Sequence, residues 1–222
     1  MELSELLNIP RGVTALVGGG GKTTAMYTLA AELTRRGTVV CTTTTRIWPP
    51  EHLPVLRGGG QALREALARH GCVCAGAPAE RGKLAAPELT MEELARAADY
   101  VLVEADGSKG LPVKAHLPHE PVIPPEARLV VTVAGASAFG RPVRDVVHRW
   151  ETFCQLTGCG PETPVSPEHL AKLLAAEGFG SVVFLNQVET QTHVRLAEAF
   201  ARRMATPVCA GALNAGEWYR LT

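Results

Sequence analysis

Residues 18–24 read Gly-Gly-Gly-Gly-Lys-Thr-Thr, the residue types of a phosphate-binding loop. Glycines let the backbone turn tightly and aim consecutive N–H groups at phosphate oxygens. The Lys22 ammonium would meet the terminal phosphates, and the Thr23 hydroxyl would bind Mg²⁺. Gly18, Gly19, Gly20, Gly21, Lys22, Thr23 and Thr24 are therefore the expected nucleotide-binding residues. The common pattern G-x-x-x-x-G-K-[ST] places a glycine where this chain has Leu16. The loop instead fits the shorter G-x-x-G-K-T-T form of Mur-like ligases.

A second chemical feature is the run Tyr100–Gly107, YVLVEADG, an apolar strand ending in two carboxylates. Ligands of open α/β sheets gather at the carboxyl ends of strands. Glu104 is expected to hold Mg²⁺ with Thr23, and Asp106 to orient the attacking group. The stretch after it, residues 108–124, holds two Lys and two His. Lys109 joins Lys22, Glu104 and Asp106 as a catalytic candidate, while Lys114 and His119 are expected to meet substrate. His116 and His119 are separated by Pro118, so they do not share a helix face, and a metal pair is not expected.

Weaker signals surround these. Thr42–Thr45 end a strand beside the expected phosphates, where one of these hydroxyls would complete the Mg²⁺ shell and Arg46 would stabilise transferred charge; Thr44 and Arg46 are substrate candidates. Asn186-Gln187-Val188-Glu189 resembles the N-K-x-D base-reading element, with Gln187 and Glu189 in place of its Lys and Asp. Asn186 is expected to touch the base, without a guanine preference. Arg144, His148 and Arg149 form a basic cluster on an expected helix, with Arg149 a substrate candidate.

These residues need a scaffold, and the periodicities supply one. Apolar β-branched runs predict strands at 12–17, 38–43, 72–77, 100–103, 129–133, 182–185 and 208–210. Helical spacing predicts helices at 22–36, 61–70, 91–98, 143–156, 167–176 and 192–204, with Ser166 as an N-cap. Residues 46–60 and 105–128 read as loops. Strands alternate with helices, which predicts one α/β domain over 1–222: a three-layer P-loop NTPase-like domain with a mostly parallel sheet.

Composition narrows the function. The 222 residues hold 22 Lys+Arg and 22 Asp+Glu, a net charge of zero, and only 5 % aromatics. Neither a nucleic-acid-coating nor an anionic-membrane-binding class fits that balance. No apolar run approaches the roughly 20 residues of a membrane span, and no signal peptide is visible. A cytoplasmic protein with reduced, buried thiols at its six cysteines is expected.

The combination of GGGGKTT, TTTTR (42–46), EADGSKGLPVKAHLPHEPVIP (104–124) and VHRWE (147–151) resembles the YqeC family. That resemblance implies a P-loop accessory factor in maturing the selenium cofactor of selenium-dependent molybdenum hydroxylases. Its partners would be a nucleotide and the hydroxylase, its cofactor or its selenium donor. It implies a pathway rather than a reaction. The function expected is an Mg²⁺-dependent NTPase or NTP-using transferase, with ATP or GTP. Alternatives are a nucleotide-gated chaperone or switch with little turnover, and a small-molecule kinase or ligase.

Overall fold

The computed structural model describes residues 1–222. The strands are β1 (Gly12–Gly18), β2 (Val39–Thr43), β3 (Arg46–Ile47), β4 (Val55–Leu56), β5 (Cys72–Ala75), β6 (Ala77–Pro78), β7 (Leu84–Ala85), β8 (Tyr100–Glu104), β9 (Val113–Lys114), β10 (Ala127–Gly135), β11 (Val147–His148), β12 (Val182–Asn186), β13 (Val208–Ala212) and β14 (Glu217–Arg220). The helices are α1 (Leu3–Leu6), α2 (Lys22–Leu33), α3 (Gly60–His70), α4 (Met91–Ala97), α5 (Val143–Val146), α6 (Trp150–Thr157), α7 (Pro167–Glu177) and α8 (Gln191–Ala201). Nine strands form one sheet in the order β14-β13-β12-β10-β1-β8-β2-β5-β4. This is the expected α/β class, with a large and mostly parallel sheet. No helix is long and apolar enough to cross a membrane.

The chain falls into two compact units. One comprises residues 1–16, 23–107 and 122–129. Its strands β1, β8, β2, β5 and β4 pair in parallel. A parallel strand is buried on both faces, so its sequence is continuously apolar rather than alternating. All five residues of β8 and of β2 are buried. Leu63, Leu67, Val73, Leu94 and Val101 belong to the core of this unit. Thr90 caps α4 in a capping box with Glu93, satisfying first-turn N–H groups.

The second unit comprises residues 17–22, 108–121 and 130–222. Here β10, β12 and β13 pair in parallel, and β14 runs antiparallel to β13. Phe153, Leu170, Val183, Leu185 and Phe200 lie in its core. Each such side chain, fully buried, stabilises the fold by about 1.5–3 kcal/mol. Ser166 caps α7 as expected, accepting from the His169 N–H.

Several expectations need correction. The single helix expected over 143–156 is α5, the short strand β11 and α6. Val147 and His148 pair with Val113 and Lys114 of β9, and Arg149 turns into the left-handed region (φ 67°, ψ 44°) before α6 begins. Arg144, His148 and Arg149 therefore do not share one helix. Helix α2 stops at Leu33, where Arg36 and Gly37 N–H groups both close on the Leu33 carbonyl. The loop expected over 46–60 holds β3 and β4, and β9 lies inside the one expected over 105–128. Strand β14 has no counterpart in the sequence prediction.

Candidate functional site

In the second unit the glycine loop is wedged between neighbouring backbones. The Gly19 N–H donates to the Val133 carbonyl at 2.9 Å and the Gly20 N–H to the Leu111 carbonyl at 3.0 Å. Gly18, Gly20 and Gly21 have φ of 97°, 72° and 115°, where a side chain is strained. Space is equally restrictive. A Cβ on Gly18 would lie 2.3 Å from the Val133 carbonyl oxygen, and one on Gly20 would lie 2.4 Å from the Gly135 nitrogen. Gly19 would meet the Leu111 carbonyl oxygen at 2.7 Å. The glycines thus serve both backbone conformation and close approach.

Lys22 is 3 % exposed, and its Nζ donates to the Gly18 carbonyl at 2.6 Å, so the ammonium curls back over its own loop. Asn186, at the end of β12, donates from Nδ2 to the Gly20 carbonyl at 2.7 Å and accepts the Leu213 N–H on Oδ1 at 3.0 Å. Its amide braces the loop backbone, where the sequence suggests a contact with the nucleotide base. Its neighbour Gln187 has φ 64° and accepts the Ser137 hydroxyl at 2.6 Å.

The same unit holds the basic stretch. Lys109 is exposed, on a tight turn where Lys109 and Gly110 both have positive φ and the Leu111 N–H closes on the Ser108 carbonyl. Lys114 is buried, with Nζ 3.2 Å from Glu120 Oε1. Arg149 Nε lies 3.5 Å from Glu120 Oε2. Burial pushes the Glu120 carboxyl up, but Lys114 and then Arg149 outweigh it and hold its pKa below the ordinary value. Burial, followed by the charges of Lys114, Arg149 and Lys109, holds the His148 imidazole below its ordinary pKa. His116 is held by Glu177: its Nδ1 lies 3.0 Å from Glu177 Oε2, and its backbone N–H donates to Glu177 Oε1 at 2.7 Å. His119 is exposed.

In the first unit the Thr23 hydroxyl donates to Glu104 Oε2 at 2.6 Å. Glu104 closes β8, in register with Leu16 of β1 and Thr43 of β2. The Thr43 hydroxyl and the Thr44 N–H both donate to the Glu104 carbonyl, at 2.8 and 3.3 Å. Asp106 is 1 % exposed. Thr23 and Glu104 offer two hard oxygen donors in contact, a fit for Mg²⁺, which takes few protein ligands and completes its octahedron with water and phosphate. No group of three or more His, Cys, Asp or Glu gathers to hold a metal by itself. Thr24 is exposed, and the Thr44 hydroxyl donates to the Val122 carbonyl at 2.8 Å. Arg46 sits in the small sheet β3-β7-β6 and pairs with Glu80 at 3.3 Å, both exposed, rather than meeting the strand tips.

Sequence reasoning passed over Glu120 and Glu177, the carboxylates that engage Lys114 and His116. Glu177 lies in no recognisable motif, and Glu120 stands in the stretch 104–124, where the other charged residues carry the signal. The six cysteines are all free thiols.

A family model described as YqeC protein matches residues 14–151. The chain is similar to a protein of Escherichia coli (strain K12) named uncharacterized protein YqeC, with 35 % identity over 171 residues, 73 % of this chain and 67 % of that one. The matched span 14–151 takes in the glycine loop, Glu104, Asp106, Lys114 and Arg149, and leaves out Asn186.

Proposed function

This chain belongs to the YqeC family, and from that premise we propose that it is an Mg²⁺-dependent nucleotide-binding protein that hydrolyses ATP or GTP. The observation that carries the proposal is the wedged, glycine-only loop that ends in a buried Lys22. A lysine folded onto its own loop carbonyl exchanges that contact for a phosphate oxygen at little cost, since both accept a charge-assisted hydrogen bond.

In this proposal the loop N–H groups and Lys22 bind and orient the phosphates. Thr23 and Glu104 hold Mg²⁺, which supplies charge neutralisation when bound. Asp106, buried two residues beyond Glu104, orients the attacking group. The biological setting we propose, maturation of the selenium cofactor of molybdenum hydroxylases, rests on the family resemblance alone. A second reading is phosphoryl transfer to a small acceptor, favoured by the short G-x-x-G-K-T-T loop and by the cations that follow Leu111 and Pro112.

The test is equilibrium binding of ATP and GTP with Mg²⁺ to the parent chain and to Lys22→Ala. A loss of about tenfold or more in Lys22→Ala is expected. Equal affinity in the two proteins would overturn the proposal. Phosphate release with steady turnover separates hydrolysis from a switch, and a phosphorylated product identifies transfer.

A further inference from the structure

The sequence predicts six buried thiols, and the structure buries four of them: Cys41, Cys72, Cys74 and Cys209. Cys154 and Cys159 are only half-buried, at the end of α6 in the second unit. Their sulfurs lie 3.9 Å apart, the Cys159 thiol donating to Cys154 Sγ. Gln155, Leu156, Gly158 and Gly160 beside them are exposed, so a small reagent can reach the pair.

The way the helix ends brings the two sulfurs together. Gly158 has φ 76° and ψ 20°, and its N–H closes on the Cys154 carbonyl at 2.9 Å. A left-handed glycine stops a helix and folds the chain back over its last turn, which sets the residue after the glycine against one a turn earlier. Here those residues are Cys159 and Cys154. Thr157 fixes the arrangement. Its buried hydroxyl donates to the Phe153 carbonyl at 2.8 Å, and the same oxygen lies 3.1 Å from Cys159 Sγ. Both cysteines also pack against the core that holds Phe153 and Leu170. No third His, Cys, Asp or Glu joins them in a metal-holding group. The chemistry open to the pair is exchange with another sulfur.

We propose that Cys154 and Cys159 form a thiol–disulfide exchange site, which reacts with small disulfides such as glutathione disulfide and closes into a reversible intramolecular bond. The thiolate is the attacking form. Burial, then the hydrogen bond and charge of Cys159 and the charge of Glu151, pushes the Cys154 thiol up to about 11. Cys154 therefore keeps its proton, and Cys159 attacks first. Its sulfur bonds one sulfur of the small disulfide, whose S–S bond breaks, and one small thiol leaves with the Cys159 proton. Cys159 no longer holds Cys154 up, and the Cys154 sulfur attacks Cys159 Sγ. The mixed disulfide breaks, and a second small thiol leaves with the Cys154 proton. Two protein thiols are oxidised by two electrons, and one small disulfide is reduced to two thiols. The side chains need only rotate to bring the sulfurs from 3.9 Å to the bonded distance of about 2.0 Å. The site makes no use of Lys22 and stands or falls apart from nucleotide binding.

The experiment treats the folded full chain with excess glutathione disulfide, quenches with acid, alkylates the remaining thiols and maps the peptides by mass without reduction. The parent is expected to lose two alkylatable thiols and to yield one peptide pair joined through Cys154 and Cys159, with no glutathione retained. The mixed disulfide should stay below about a tenth of the chain, because the second attack is intramolecular. Dithiothreitol should return both thiols. Cys154→Ser should instead keep one glutathione on Cys159. The parent result decides the matter even where that variant fails to fold. Retention of both free thiols in the parent, a glutathione on each cysteine, or a bond that maps to any other pair would overturn the proposal.

Discussion

The side-chain amide of Asn186 spans the glycine loop and the turn after β13, donating to the Gly20 carbonyl at 2.7 Å and accepting from the Leu213 N–H at 3.0 Å. Both ends of the amide are used by the protein's own backbone. A side chain so committed fixes the position of the loop whatever base a nucleotide carries.

Asn186→Ala is therefore expected to weaken ATP and GTP equally, leaving their affinity ratio unchanged. The variant should also lose about 1–3 kcal/mol of stability, the cost of leaving buried groups unpaired. Parallel ATP and GTP titrations check the ratio, and urea unfolding checks the stability. A selective loss for one base would instead make Asn186 a base reader.

Gly20→Ala should destabilise the chain by about 2 kcal/mol or more. The left-handed backbone costs an alanine about 1–2 kcal/mol, and its Cβ would stand 2.4 Å from the Gly135 nitrogen. Urea unfolding gives the stability, and the same sample should show nucleotide binding largely lost. An unchanged midpoint would mean that the loop relaxes freely.

Glu104→Gln keeps an oxygen that can accept the Thr23 hydroxyl but removes the charge that suits Mg²⁺. Nucleotide binding measured without Mg²⁺ should be retained. The gain in affinity on adding Mg²⁺ should shrink about tenfold. A full Mg²⁺ response would remove Glu104 from the proposed metal pair.

His148 links stability to pH. Its folded pKa lies below the ordinary value of 6.5, so the unfolded chain takes up the proton first. Stability is then lost as pH falls from 6.5 through the folded pKa, and is constant below it as far as this group is concerned. Glu120, also lowered in the folded chain, adds a loss of the same sign as pH falls from 4.5. Urea midpoints for the parent and His148→Gln across mildly acid pH should show a shallower slope in the variant. Parallel curves would exclude His148 as a contributor.

The parts legible in the sequence are those written in consecutive residues. Gly12–Gly18 and Tyr100–Glu104 carry their strand signal locally, and the glycine run with Lys22 sits between a strand and a helix in both the prediction and the structure. Pairings between distant residues were not legible. The stretch 143–156 has helical spacing throughout, yet the ladder from Val113–Lys114 draws Val147–His148 into a strand and divides it. Glu120 and Glu177 resemble ordinary solvated acids in sequence, and only folding brings them to Lys114 and His116. Arg46 shows a different limit. Its position after a threonine run suggested the strand tip, but two-residue strands turn it toward Glu80.

The four walls around Gly18, Gly19, Gly20 and Gly21 have a genetic consequence. Almost any missense change in this run would meet a neighbouring backbone or side chain before it met a phosphate. Alleles at these codons would act by lowering the amount of folded protein as well as by lowering its affinity. A loss-of-function phenotype there cannot be assigned to chemistry until protein abundance has been measured alongside it.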